Sequence, residues 1–253
     1  MRTIFLFSLP TLLTVASAYC PPTVFLLAGD STTASLSANG GGWGDGFNAT
    51  LVPPGVCENH ALNGRSTKTF IDNGDWGRLL ESAASFSEKE YRVFVTIQFG
   101  HNDQKLVDFE EQFKTNLKAM VGDVRGKGGV PVLVTPLARR NFWPNGTLND
   151  ILSPWAGYVR EVAEEMKANS IDLWKESKRL LEAVGETQAR RIDLADGDHT
   201  HLNHAAEKVF GRMVADLLVA ELSERGRKRL DVRCVVGRNE TMSREIKKGV
   251  MSF

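Results

Sequence analysis

The sequence predicts a three-layer α/β/α sandwich around a central parallel sheet, and three observations carry that expectation. Short, continuous apolar runs alternate with stretches of helical periodicity. The runs lack the in-out alternation of a half-exposed sheet, so both faces of their strands are covered, as in parallel sheets. The polar motifs that could carry chemistry fall just after these runs, at the carboxyl ends of strands, where open sheets bind ligands.

The elements follow in chain order. Val24 to Ala28 (VFLLA) is the first buried strand, Arg92 to Phe99 (RVFVTIQF) the second and Val130 to Thr135 (VPVLVT) the third. His60 to Leu62 and Ser170 to Leu173 are weaker strand candidates. Phe109, Phe113, Leu117, Met120, Val121 and Val124 recur at spacings of three and four, and so do Trp155, Tyr158, Val159, Val162 and Met166. Ala206, Val209, Phe210, Met213, Leu217 and Leu218 repeat the pattern near the end. Each set lays an apolar stripe along one helix face, and its aromatic and Met members are read as core. Strand–helix alternation of this kind builds right-handed crossovers.

The first residues read as an export signal. Arg2 gives a positive start, Ile4 to Val15 an apolar run broken by Ser8, Pro10, Thr11 and Thr14, and Ala16-Ser17-Ala18 a small-residue cleavage site. Cleavage after Ala18 is expected, leaving Tyr19 first. The run falls short of the roughly 20 apolar residues that span a bilayer. Residues 1–18 are therefore expected to be a signal peptide, 19–224 one α/β domain, and 225–253 a charged peripheral tail with Cys234 as a candidate tether. A soluble, secreted, extracellular monomer is expected.

Acidic and basic residues balance at 31 each, so neither a nucleic acid nor a membrane surface is expected as partner. The three cysteines, Cys20, Cys57 and Cys234, allow three single pairings with one thiol left over, and the sequence does not choose among them. Asn48, Asn145 and Asn239 head glycosylation sequons, which in an exported eukaryotic chain mark surface positions.

Four segments could carry chemistry. Gly29-Asp30-Ser31-Thr32 closes the first strand. Gly29 permits a sharp turn, and Asp30 and Ser31 favour a helix start, so the Ser31 hydroxyl would stand at the ligand edge beside backbone N–H groups able to hold an oxyanion. An ordinary helix cap is the bland alternative. There is no Gly-x-Ser-x-Gly elbow, which disfavours the ordinary α/β-hydrolase pattern but not a serine nucleophile on another fold.

A serine nucleophile needs a base, and the base an orienting carboxylate. Asp198 and His201 are three apart in Asp196-Gly-Asp198-His199-Thr200-His201, ahead of the last helical pattern, a spacing that can bring a carboxylate to the imidazole Nδ1. Asp198 could instead cap that helix, and His199, His201 and His204 could bind metal, although their spacing matches no standard zinc pattern. Asn63-Gly64-Arg65-Ser66 and Gly100-His101-Asn102-Asp103 follow two other strand candidates, where Gly64 could expose its N–H and Asn102 its amide; plain turns are the alternative. Trp43, Trp143 and Trp155 are equally suited to sugar stacking or to the core, and none is assigned.

Taken in order, Gly29-Asp30-Ser31, Asn63-Gly64-Arg65-Ser66, Gly100-His101-Asn102-Asp103 and Asp198-x-x-His201 resemble the SGNH (GDSL-like) hydrolase superfamily. Gly42-Trp43-Gly44, Gly64-Arg65-Ser66 and Asp198-His199-Thr200-His201 look more closely like the rhamnogalacturonan acetylesterases, carbohydrate esterases that remove acetyl groups from pectin. The resemblance spans about Val24 to Leu222. It implies a flavodoxin-like α/β/α fold, no cofactor, and an acetylated polysaccharide as substrate. It implies Ser31 as nucleophile, His201 as general base and acid, and Asp198 as its orienting partner. It also implies an oxyanion hole from the backbone N–H groups of Ser31 and Gly64 with the Asn102 side chain. The alternatives are a lipase-like acylhydrolase, an acetylesterase acting on another polysaccharide such as xylan, a metal-dependent deacetylase, and a carbohydrate-binding protein that has lost catalysis.

Overall fold

Strand β1, Thr23–Gly29, is fully buried and lies between two parallel neighbours, β2 (Gly55–Asn59) and β3 (Arg92–Gln98). β4 (Val130–Val134) and β5 (Asn169–Ile171) extend the sheet beyond β3, giving the parallel order β2-β1-β3-β4-β5. The computed structural model describes residues 20–149, 151–223 and 230–252; the expected signal peptide and its cleavage site lie outside them.

Successive strand side chains point to opposite faces, and each face has its own core. Phe25 and Leu27 of β1, Phe94 of β3 and Val132 and Val134 of β4 meet α1 (Gly44–Asn48), α6 (Leu173–Arg190) and α7 (His204–Ser223). Val24, Leu26 and Ala28, with Val93, Val95 and Ile97, meet α2 (Thr67–Asp72), α3 (Asp75–Glu88), α4 (Glu110–Gly126) and α5 (Ser153–Glu165). The chain is thus the three-layer α/β/α sandwich its sequence predicts.

Three expectations are corrected. The strand sought at His60 to Leu62 is Gly55–Asn59. β2 is an edge strand with Val56 40% exposed, so it lacks a continuous apolar run to read. His60 and Leu62 still donate their N–H groups to Leu27 (3.0 Å) and Gly29 (3.1 Å), which draws the Asn63–Gly64 turn against the end of β1. Second, α7 is followed by one more helix, α8 (Glu240–Lys247). Third, the segment after residue 229 is not peripheral: Val232, Val235, Val236 and Ile246 are buried in the first core. Its apolar residues are few and separated by charges, so no periodicity marks them. Val52 donates its N–H to the Val235 carbonyl (2.9 Å) and Gly237 donates to Thr50 (2.7 Å), and Cys20 and Cys234 form a disulfide that leaves Cys57 free.

Candidate active site

Ser31 stands in the turn that leaves β1. The Asp30 side chain folds that turn, Oδ1 accepting the Thr32 N–H and hydroxyl, both at 2.8 Å, while the N–H groups of Thr33 and Ala34 return to the Asp30 carbonyl. The Gly42-Trp43-Gly44 segment lies directly against this turn. A Cβ on Gly42 would fall 2.2 Å from the Thr32 carbonyl carbon, so only glycine admits that approach. Trp43 and Gly44 donate their N–H groups to Thr32 and Thr33 (3.1 Å each), and the buried Trp43 indole donates to Gln98, whose amide donates in turn to the Thr32 hydroxyl (2.7 Å). Trp43 is therefore core, as is Trp155 against Phe113; Trp143 is exposed.

The loop between α6 and α7 brings His201 to this turn. Its Nε2 lies 2.7 Å from the Ser31 hydroxyl oxygen and its Nδ1 2.8 Å from Asp198 Oδ2. Asp198 Oδ1 accepts the backbone N–H groups of Thr200 (3.0 Å) and His201 (2.9 Å). Partial burial pushes the Asp198 carboxyl upward, but hydrogen bonds from the His201 backbone and ring and from Thr200 outweigh it and hold the group below the ordinary aspartate range. Asp198 does not cap α7: Asn203 does, accepting the N–H groups of Ala205 and Ala206 (3.1 Å each).

Arg140, fully buried, organises this loop from beneath, and the sequence carries no signal for it. Its guanidinium donates to the carbonyls of Asp198 (2.9 Å), Thr200 (3.3 Å) and His201 (2.6 Å) and pairs with Asp193. Asp193 also accepts from His199 (3.0 Å), and His204 pairs with Glu207, so the three neighbouring histidines have three different carboxylate partners. Among the described residues no group of three or more His, Cys, Asp or Glu could hold a metal ion.

Gly64 and Asn102 follow β2 and β3 on either side of Ser31. Gly64 has φ +77°, a left-handed conformation that favours glycine although the space around it is open. Among the described residues, the backbone N–H groups of Ser31 and Gly64 meet no protein acceptor. The Asn102 amide is oriented at both ends, donating from Nδ2 to the Arg65 carbonyl (3.0 Å) and accepting from Lys105 (2.8 Å), which leaves one Nδ2 hydrogen uncommitted. Asp103, fully buried, ties the two loops together by accepting the N–H and hydroxyl of Thr67 (2.8 and 2.6 Å) and the N–H of Gly100 (3.1 Å); burial pushes its carboxyl up to about 6. Asn48, Asn145 and Asn239 are exposed.

Ser31, Gly64 and Asn102 thus follow three adjacent strands at the point where the order β2-β1-β3 reverses, the ligand-binding crevice of a sheet of this order. The GDSL-like lipase/acylhydrolase family model matches residues 27–209. Rhamnogalacturonan acetylesterase RhgT of Bacillus subtilis is 31% identical over 212 residues, covering 77% of this chain and 89% of the relative. Probable rhamnogalacturonan acetylesterase YesY of the same organism is 30% identical, covering 75% and 89%. Among solved structures, Bacillus subtilis YxiM superposes with a TM-score of 0.65 at 23% identity, over 83% of this chain and 58% of that one. Axe2, an acetylxylan esterase from Geobacillus stearothermophilus, gives 0.56 at 17% over 80% and 95%, a likeness of fold. With motifs in the family's order at the reversal point of a sheet of the family's fold, the chain belongs to the GDSL-like (SGNH) hydrolases and is a carboxylic ester hydrolase.

Proposed function

We propose that this protein is a secreted serine esterase that removes acetyl groups from pectin of the rhamnogalacturonan type. The observation that carries the mechanism is the continuous relay from Ser31 through His201 to Asp198, at 2.7 and 2.8 Å. His201 accepts the Ser31 proton at Nε2 as the hydroxyl oxygen attacks the ester carbonyl. Asp198 holds Nδ1 protonated and stabilises the imidazolium. The N–H groups of Ser31 and Gly64 and the uncommitted Asn102 hydrogen receive the oxyanion. His201 then protonates the departing sugar hydroxyl, leaving an acetyl-serine. Water gives its proton to His201, attacks that ester and releases acetate, and the proton returns to Ser31.

The substrate class rests on two relatives of about 30% identity that are named for rhamnogalacturonan. Acetate release from acetylated pectin, acetylated xylan and long-chain esters tests it. Preference for pectin is expected, and a strong preference for long acyl chains rejects it. Ser31→Ala is expected to abolish acetate release, and full activity in a folded Ser31→Ala protein rejects the mechanism. Secretion rests on the leader pattern, and the N-terminal sequence of the exported chain is expected to start at Tyr19.

A further inference from the structure

Directly behind the nucleophile lies a second carboxylate–imidazole contact that the mechanism does not use. Asp30 precedes Ser31 and His101 precedes Asn102. Asp30 is fully buried and His101 nearly so, with Asp30 Oδ2 3.7 Å from His101 Nδ1. Neither of those two atoms has any hydrogen-bond partner. Asp30 Oδ1 is committed, accepting twice from Thr32, and the Leu137 backbone offers the His101 ring an acceptor.

A neutral imidazole carries one N–H, and the Leu137 backbone is the acceptor beside the ring that can take it from Nε2. Nδ1 then presents a lone pair. An ionised Asp30 would set a second lone pair, and a full negative charge, against it in a site without water access, where unpaired polar groups are costly. One proton on Oδ2 removes both penalties and makes an O–H···N bond by closing the present gap.

We propose that Asp30 and His101 share one proton as a neutral carboxyl–imidazole pair, and that this pair is a positioning device locking the Ser31 turn to the Asn102 loop. The inference rests on the roles given above to Ser31 and Asn102. Burial, the largest influence on each group, drives both toward their uncharged forms, raising Asp30 and lowering His101 well below the imidazole range. The charged groups around the pair are Arg139, Lys105, His201 and Asp103, and the Arg139 charge further disfavours an imidazolium at His101.

Carbon-13 NMR of aspartate-labelled resting protein at pH 7 tests the proton directly. One carboxyl carbon is expected at the protonated-acid position, lost in Asp30→Asn and kept in Ser31→Ala, so this readout stands whether or not Ser31 is the nucleophile. An Asp30 signal at the carboxylate position overturns the proposal, and it decides the matter even where a variant fails to fold. Kinetics test the positioning. Asp30→Ala is expected to lower kcat about 10- to 100-fold with little change in KM, the scale of a small misplacement of reacting groups. Asp30→Asn is expected to recover most of that loss, because its amide donates to Nδ1 while its oxygen still accepts from Thr32. It is also expected to lose the alkaline fall in kcat that deprotonation of the pair produces. An Asp30→Asn enzyme as impaired as Asp30→Ala overturns the proposal.

Discussion

Asn102 owes its value to being held rather than to being present. Its amide is fixed by Lys105 on the oxygen and by the Arg65 carbonyl on one hydrogen, so the remaining hydrogen has one direction available. Truncating one such donor lowers turnover about 10²- to 10³-fold in other acyl-transfer enzymes. Asn102→Ala is therefore expected to lose turnover on that scale, with its urea midpoint close to wild type. A large loss of stability at unchanged turnover would contradict the role. Asp103 beside it behaves differently. Its carboxyl is raised to about 6, so ionisation works against the folded state. Its contribution to stability is complete below about pH 3.8 and gone above about pH 6, a swing of roughly 3 kcal/mol at most. The stability of wild type relative to Asp103→Asn is expected to fall by that order between pH 4 and 7 in urea titrations. A constant difference across that range would refute the assignment.

At the scale of elements, the loop from α6 to α7 contains no helix or strand; an antiparallel bridge between Asp193 and Leu202 closes it, and Arg140 holds its carbonyls from beneath. Replacing that guanidinium with leucine removes the ion-pair partner of the buried Asp193 carboxylate and the guanidinium donor to the Asp198, Thr200 and His201 carbonyls. Breaking a buried pair in this way costs about 3–5 kcal/mol. Arg140→Leu is expected to lose stability on that scale and most acetate release, read by urea unfolding and turnover; a change under about 1 kcal/mol would show the loop to be self-supporting. Arg140 also marks where legibility ended. β1, β3 and β4 are apolar on both faces and could be read within a residue or two, and the site's backbone positions followed from where those strands stop. β2 could not, because an edge strand half in solvent has no apolar run. Ser31, Asp198 and His201 were legible because short-range motifs place them. Arg140, Asp193 and the Asp30–His101 contact join segments 53 and 71 residues apart, and only tertiary packing brings them together.

For the whole molecule, the cysteines carry the testable consequence. Cys57 is the single free thiol, and burial, aided by Asp45 and Glu58, pushes it up to about 12. The native protein is expected to resist a thiol reagent at pH 8, and the unfolded, unreduced protein to react once. Two further equivalents in the unfolded chain would rule out the Cys20–Cys234 bond. Removing a native disulfide costs small domains about 2–5 kcal/mol, and Cys20→Ser with Cys234→Ser is expected to lower the urea midpoint accordingly. That bond also orders events during synthesis. Residue 20 waits for a partner 214 positions later, so the closure cannot form until the chain has been made and released through Cys234. β1, β3 and β4 can pair well before then. Val232, Val235, Val236 and Ile246 of the core that holds Phe25 are made after all the strands and α7. A nascent chain stalled before residue 230 would hold Ser31, Asp198 and His201 and the helices over that face, and still lack the last apolar residues of its core.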